Sequence, residues 1–225
     1  MQNNKENSQK VVVVCGPSGV GKGTLVRFLM AKYPNFVLSV SDTTREKSEK
    51  EIDGVHYNFI SVTEFKKRII EDAFFEYEEV YPNKFYGTSK NQIVKTTESE
   101  TKVLDTKIPN EKNLLFDVDI KGAISIKKHF GENALTIFLT PPKPHMENLR
   151  TRMTERAEKE GRTIDEVRLS KAPHEIALAE SELVKNNKDD KNKSAEKSGI
   201  DFIITNDDDK NSYITISKII EEFLS

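Results

Sequence analysis

Five consecutive residues, Val11, Val12, Val13, Val14 and Cys15, run directly into the segment Gly16-Pro17-Ser18-Gly19-Val20-Gly21-Lys22-Gly23-Thr24. An apolar, β-branched run without polar alternation belongs to a strand buried on both faces, as in the centre of a parallel sheet. The glycines that follow let the backbone take positive φ and turn successive N–H groups into one concavity, the right shape and polarity for phosphate oxygens. Leu25, Phe28 and Leu29 then recur at i, i+3 and i+4, which predicts a helix from about Gly21 or Lys22 that stops before Pro34. Its positive N-terminal end adds to the attraction for an anion. Lys22 stands at that end, where its ammonium can meet the terminal phosphates of a nucleotide. A glycine-rich turn with no ligand is the bland alternative; the strand–loop–helix order argues against it. The strict pattern places Ser or Thr directly after the Lys, whereas here Gly23 stands there and Thr24 is the hydroxyl candidate for a Mg²⁺ shell.

Beyond the loop the chain keeps alternating. Residues 36–40, 114–118, 134–139 and 201–205 read as strands, with helical sequence to about His129, across 145–184 and over 214–224. Residues 41–90 differ, with short strands at 55–60 and 74–80 flanking a helix that opens on the capping-box sequence Ser61-Val62-Thr63-Glu64. The expected fold is therefore α/β: a P-loop, three-layer parallel-sheet core with a small mixed α+β subdomain and a helical lid. The whole of 1–225 forms one domain, with core segments 10–40, 112–145 and 170–225, the subdomain at 41–90 and the lid at 150–168. Two polar stretches, 96–113 and 185–198, lack either periodicity and read as projecting insertions.

Composition narrows the partners. A formal net charge of −2 does not suit a surface that attracts nucleic acid as a whole, so an anionic ligand has to be met by a local cluster of cations. The single Cys15 excludes an intramolecular disulfide and fits a reducing compartment, with the cytoplasm as the default. The first ten residues lack the apolar stretch of a secretory signal, and no apolar run is long enough to span a membrane. His56, His129, His145 and His174 are scattered without metal-ligand spacing. A monomer or weak homodimer is the expected state.

Several further motifs occur in order: Ser39-Val40-Ser41-Asp42-Thr43-Thr44-Arg45, Glu51-Ile52-Asp53-Gly54-Val55-His56-Tyr57-Asn58-Phe59, Phe85-Tyr86-Gly87-Thr88, Phe116-Asp117-Val118-Asp119-Ile120-Lys121-Gly122, Pro141-Pro142 and Asn206-Asp207-Asp208. Together with the loop they resemble the guanylate kinases over nearly the whole chain, although the Gly-Lys-Gly-Thr ending of the loop is similar to that of adenylate kinases. The resemblance implies direct in-line transfer of the γ-phosphoryl of ATP, carried with Mg²⁺, to GMP or dGMP. It assigns the loop from Gly16 to Thr24, with Asn206, to ATP. Arg45, Tyr57 and Tyr86 go to the GMP phosphate, with Glu51 steering the guanidinium. Glu76 is assigned to guanine N1–H and the 2-amino group, with Ser39 or Ser41, Thr88 and Asp119 completing the base pocket. Asp117 is assigned a contact with Mg²⁺-bound water, with helix capping as its alternative. A carboxylate suits the guanine edge because adenine has neither donor there, and an unpaired buried acceptor costs AMP about 1–3 kcal/mol. The bland readings are solvated carboxylates for Glu76 and Asp119 and core aromatics for Tyr57 and Tyr86.

One position departs from the family pattern, which usually has a second Arg three residues after the first; here it is Ser48. Lys47 or Lys50 can supply a point charge but not a planar fork, so weakened GMP binding is expected. Ser48→Arg should tighten GMP binding in a direct titration, and an unchanged affinity would remove the idea.

Five of the eight Arg residues, Arg150, Arg152, Arg156, Arg162 and Arg168, fall within positions 150–168. Interleaved Glu155, Glu158, Glu160, Asp165 and Glu166 allow the plainer reading of a solvated helix face. The resemblance assigns Arg152, Arg156 and Arg168 to the ATP phosphates, leaves Arg150 and Arg162 structural, and completes a catalytic set with Lys22 and Arg45. Three alternatives compete with this reading. An AMP or dTMP kinase is disfavoured by Glu76 and Tyr86-Gly87-Thr88; a non-catalytic module binding phosphorylated segments is disfavoured by Gly16, Gly21 and Lys22; and a motor or signalling NTPase lacks an identifiable water-positioning residue.

Overall fold

A computed structural model describes residues 9–49, 51–90, 112–161, 163–186, 199–207 and 210–225. Most of the insertions at 96–113 and 185–198, with Lys50 and Arg162, lie outside the described residues. Five strands form the main sheet: β1 (Val11–Cys15), β2 (Phe36–Leu38), β7 (Asn113–Asp117), β8 (Ala134–Thr140) and β9 (Phe202–Thr205). Their order is β2-β7-β1-β8-β9, and every pairing is parallel.

The central place of β1 explains its composition. It lies between β7 and β8, and all five of its side chains are fully buried. Alternation along the strand sends Val12 and Val14 to one face, with Leu25 and Leu29 of α1 (Lys22–Lys32) and Ile216 and Ile220 of α6 (Lys210–Leu224). Val11, Val13 and Cys15 meet the other face, with Ala123 and Ile126 of α3 (Ile120–Phe130) and Ile176 and Ala179 of α5 (Glu166–Asn186). Each fully buried valine contributes about 1.5–3 kcal/mol relative to exposure, so a polar residue in β1 would have no face on which to escape.

A second sheet, ordered β4-β3-β6-β5, is mixed. It comprises β3 (Asp42–Thr43), β4 (Asn58–Phe59), β5 (Phe74–Tyr81) and β6 (Lys84–Ser89), covered by α2 (Val62–Ile70). The Ser61 hydroxyl accepts from the Glu64 amide at 3.1 Å, completing the expected N-cap. Phe65 stacks on Phe74 and Phe85 at centroid separations of 4.5 and 5.2 Å, giving this sheet its own small core. The strand at 55–60 shortens to β4, because Gly54 turns the chain with φ 75° and Val55 points into solvent. The strand at 36–40 ends at Leu38. Neither β3 nor β6 was read as a strand, since two residues are too few for a period and the Tyr86-Gly87-Thr88 motif masked the alternation of β6.

The register of β5 on β6 shifts between Phe74 and Glu76. That bulge sends Phe74 into the small aromatic core and Phe75 against Phe116 of the main core, fixing the second sheet to the first. The lid segment proves to be the end of α4 (His145–Lys159), its connection and the start of α5, with Arg150 and Glu166 paired between the two helices at 2.6 and 3.0 Å. Arg150 is held in this exposed pair between the two helices. Among the described residues no helix is long and apolar enough to cross a membrane.

Candidate active site

The glycine loop after β1, Asp117 at the end of β7 with Asp119 just beyond it, and Asn206 after β9 gather past the carboxyl ends of neighbouring parallel strands, where open α/β sheets place their ligands. Gly21 is the N-cap of α1 at φ 101°, in left-handed territory, and a side chain there would strike the Asn206 amide. The Lys22 ammonium donates to the carbonyls of Gly16 (2.6 Å) and Pro17 (3.3 Å), folded onto its own loop.

The loop is braced from beneath. Asn206 is fully buried and donates its amide to the Val20 carbonyl at 2.7 Å. Arg152 donates to the Asn206 carbonyl at 2.9 Å and to that of Val20 at 3.4 Å. The Asn206 amide nitrogen, from the residue read as an adenine contact, is turned onto the loop backbone while its Oδ1 is buried without a partner among the described residues, and Arg152 grips the same backbone. Thr24 departs from expectation. It is exposed on the first turn of α1, its hydroxyl accepts from Arg27 at 3.3 Å, and it is not among the residues lining the cleft.

A cleft of about 230 Å³ opens between this loop, the second sheet and α5. Gly16, Ser18 and Lys22 line one end. Ser41, Tyr57, Glu76, Tyr86 and Thr88 come from the second sheet and its loops, and Asp117 and Asp119 from the sheet edge. Ser41 lines the cleft and Ser39 does not; the Ser39 hydroxyl is buried without a partner among the described residues. Asp119 rather than Asp117 performs the capping, accepting from the Gly122 amide at 2.8 Å. Asp117 is half-buried, and its partial withdrawal from water raises its carboxyl above the usual range, while nearby Lys22 acts the other way.

Glu76 accepts from the Thr88 hydroxyl at 2.6 Å. Burial, reinforced by the charge of Asp119, pushes its carboxyl up to about 7. Gly122 is required opposite it, because a Cβ there would sit 2.6 Å from the Glu76 Cγ. Arg45 is clamped by Glu51, which accepts from both terminal nitrogens at 2.8 and 2.6 Å. That pair holds the Glu51 carboxyl down to about 2, helped by the backbone and hydroxyl of Ser48 at 2.9 and 2.8 Å. The guanidinium also lies over the rings of Tyr57 and Phe59, each 5.5 Å from the centroid. Both terminal nitrogens are thus committed to Glu51, and Arg45 stands behind Tyr57 and Tyr86 without itself being among the residues that line the cleft.

Of the lid arginines only Arg168 reaches the cleft. Arg156 instead pairs with Glu160 at 2.8 Å on an exposed face, the i,i+4 arrangement of a solvated helix, so its expected place near phosphates is not met here. Sequence reasoning missed Glu78, Lys171 and Glu175, which also line the cleft. The signal available was helical spacing: 168, 171 and 175 share one face of α5. The only thiol, Cys15, is buried, which raises its pKa far above the ordinary range and leaves it inert as a nucleophile.

A glycine loop at the end of a central parallel strand, with a cation-bearing cleft between it and a second sheet, defines a P-loop phosphotransferase. Within that class the chain belongs to the guanylate kinase family, whose model matches residues 8–223. It is 35% identical to a guanylate kinase of Bacteroides fragilis over 220 residues, covering 98% of this chain and 92% of that protein. A guanylate kinase of Porphyromonas gingivalis is 40% identical over 171 residues, 76% of this chain and 84% of that one. The crystal structure of guanylate kinase from Anaplasma phagocytophilum shares the fold, with a TM-score of 0.60 at 24% identity over 96% of this chain and 87% of that one.

Proposed function

We propose that this chain transfers the γ-phosphoryl group of ATP to GMP, giving ADP and GDP. The observation that carries the reading is Glu76, a half-buried carboxylate held by Thr88 in the same cleft as the glycine loop. When ionised it offers two acceptor oxygens to guanine N1–H and the 2-amino group, a pairing adenine cannot return. Ser41, Thr88 and Asp119 complete the base pocket.

The acceptor phosphate then meets Arg45, preset by Glu51, with the Tyr57 and Tyr86 hydroxyls beside it. The glycine loop cradles the ATP phosphates through its amides. Lys22 exchanges the Gly16 and Pro17 carbonyls for phosphate oxygens and neutralises charge on the transferred group. The GMP phosphate oxygen attacks the γ-phosphorus as the bond to the ADP oxygen breaks, with no covalent enzyme intermediate. Arg168 contributes from α5. Arg156 joins only if the lid closes further, which would also exclude water as a competing acceptor.

Among the described residues no three acidic, His or Cys side chains group to hold a metal. We read Mg²⁺ as arriving on ATP, because that ion binds through phosphates, waters and one or two carboxylates. Asp117, which lines the cleft and feels the charge of Lys22, is the carboxylate we assign to the ion's water shell. The ion supplies neutralisation of phosphate charge; the chain supplies alignment. A cytoplasmic setting accords with the free, buried Cys15.

The test is ADP release coupled to a reporter, with Mg-ATP and GMP, dGMP, AMP, dTMP or UMP as acceptor. Turnover with GMP is expected. Turnover with AMP alone would overturn the reading. Retained GMP or phosphopeptide binding without turnover of any acceptor would favour a binding module.

A further inference from the structure

We infer that Lys171 is a further acceptor-phosphate residue, a cation held by Glu78 in the free protein and shared with the GMP phosphate once the nucleotide enters. The inference rests on the GMP reading above.

The β5–β6 ladder sets a depth scale for the cleft. Glu76 stands opposite Thr88, and Glu78 opposite Tyr86. The first rung carries the base-reading carboxylate. The second carries Tyr86, a side-chain partner of Arg45 and so a member of the phosphate end. The Lys171 ammonium lies 2.6 Å from the Glu78 carboxylate, which puts it on that second rung, facing the cleft from the α5 side. Arg168, one turn earlier on the same helix face, also lines the cleft.

The Lys171–Glu78 pair is suited to exchange. Both side chains are about two-fifths exposed, 39% and 42%, and ion pairs so exposed add little to stability. A phosphate monoester carries nearly twice the charge of a carboxylate and three acceptor oxygens, so it competes well for a flexible ammonium. A purely structural tie between α5 and β5 has another basis, because the Tyr81 hydroxyl already donates to Asp165 at 3.1 Å. Without Lys171, Glu78 would present an uncompensated negative charge to the incoming phosphate.

The two partners therefore have opposite effects on GMP. Lys171→Met should weaken GMP binding by about tenfold, the scale of one charge-assisted hydrogen bond, and leave guanosine, which lacks the phosphate, unchanged. Lys171→Arg should restore most of the loss. Glu78→Gln should tighten GMP binding by removing the competing carboxylate. Calorimetric titration of GMP, guanosine and ATP into the full chain and these variants reads each outcome, with unchanged ATP affinity reporting an intact fold. If Lys171→Met and Glu78→Gln move GMP affinity in the same direction, the pair is only a tie and the inference is overturned. Equal weakening of GMP and guanosine by Lys171→Met overturns it as well. A wild-type chain that neither binds nor phosphorylates GMP sinks the functional reading too, whereas wild-type GMP turnover with an indifferent Lys171→Met sinks this inference alone.

Discussion

Lys22→Ala is expected to lower kcat for GMP phosphorylation by about 10³-fold while changing the melting temperature little. Removing one preorganised donor aimed at developing charge costs roughly 10²–10³ in rate, and Lys22 brings a full positive charge. Among the described residues its hydrogen bonds go to carbonyls of its own loop, at Gly16 and Pro17, and its further influence is on the charge of Asp117 and Glu175 rather than on any packing contact. The brace made by Asn206 and Arg152 on Val20 is untouched, and the loop amides continue to bind ATP. Steady-state kinetics should accordingly show kcat falling far more than KM for ATP rises. A variant that lost ATP affinity but kept kcat would place Lys22 in ground-state binding and contradict the assigned role.

Glu76→Gln should lower kcat/KM for GMP by about 10²–10³-fold, because the amide presents a donor where guanine also presents donors. The same carboxyl makes GMP binding depend on pH. Its pKa is pushed up to about 7 by burial and then by Asp119. Below that value the free protein holds Glu76 protonated, and GMP must displace the proton. Affinity should rise as pH climbs towards 7 and level off above it, with proton release on binding that disappears in Glu76→Gln. Calorimetry in buffers of different ionisation enthalpy measures that proton. Affinity flat from pH 5.5 to 8 would argue against a carboxylate reading guanine.

Stability should move the opposite way. The folded carboxyl titrates near 7 and the unfolded one at its ordinary 4.5, so between these values the folded state binds the proton more tightly. Stability is therefore lost as pH rises from about 4.5 through 7. Glu76→Gln escapes that loss. It should melt above the wild type at pH 8, at roughly 2–4 °C per kcal/mol for a chain of this size, and show no such advantage at pH 4. An enzyme less stable with its natural residue, and active only because of it, is the pattern expected where function requires a buried charge.

Glu76 also illustrates what the chain order could and could not convey. Its place among ordered motifs made it a base-reading candidate, yet its raised pKa depends on the bulge in β5, on Asp119 and on the bare backbone of Gly122. The family resemblance set Glu51 to steer Arg45, six positions earlier, and the structure joins them through two hydrogen bonds. Asn206 was assigned to adenine from its motif, but its amide meets Val20 across 186 residues of sequence. Arg156 and Thr24 fell outside the cleft lining for a simpler reason. A helix turns every residue by about 100°, and which part of that turn faces a ligand is decided by what the helix packs on.

The strand–loop–helix at Val11 to Lys32 and the capped start of α2 were determined by the sequence itself, since each rests on backbone preferences and burial patterns confined to a few neighbouring residues, and the family was determined by motifs that follow in order along the chain. Tertiary structure alone decided that Asn206 and Arg152 brace the loop and that Ser41 rather than Ser39 enters the cleft. It also brought Glu78 of β5 and Lys171 of α5, 93 positions apart, within 2.6 Å in the cleft. The physical reason is distance along the chain. Local rules specify where a strand or helix begins, but the facing of two such elements follows from the docking of Phe75 and Ile176 into one shared core, which no local window contains.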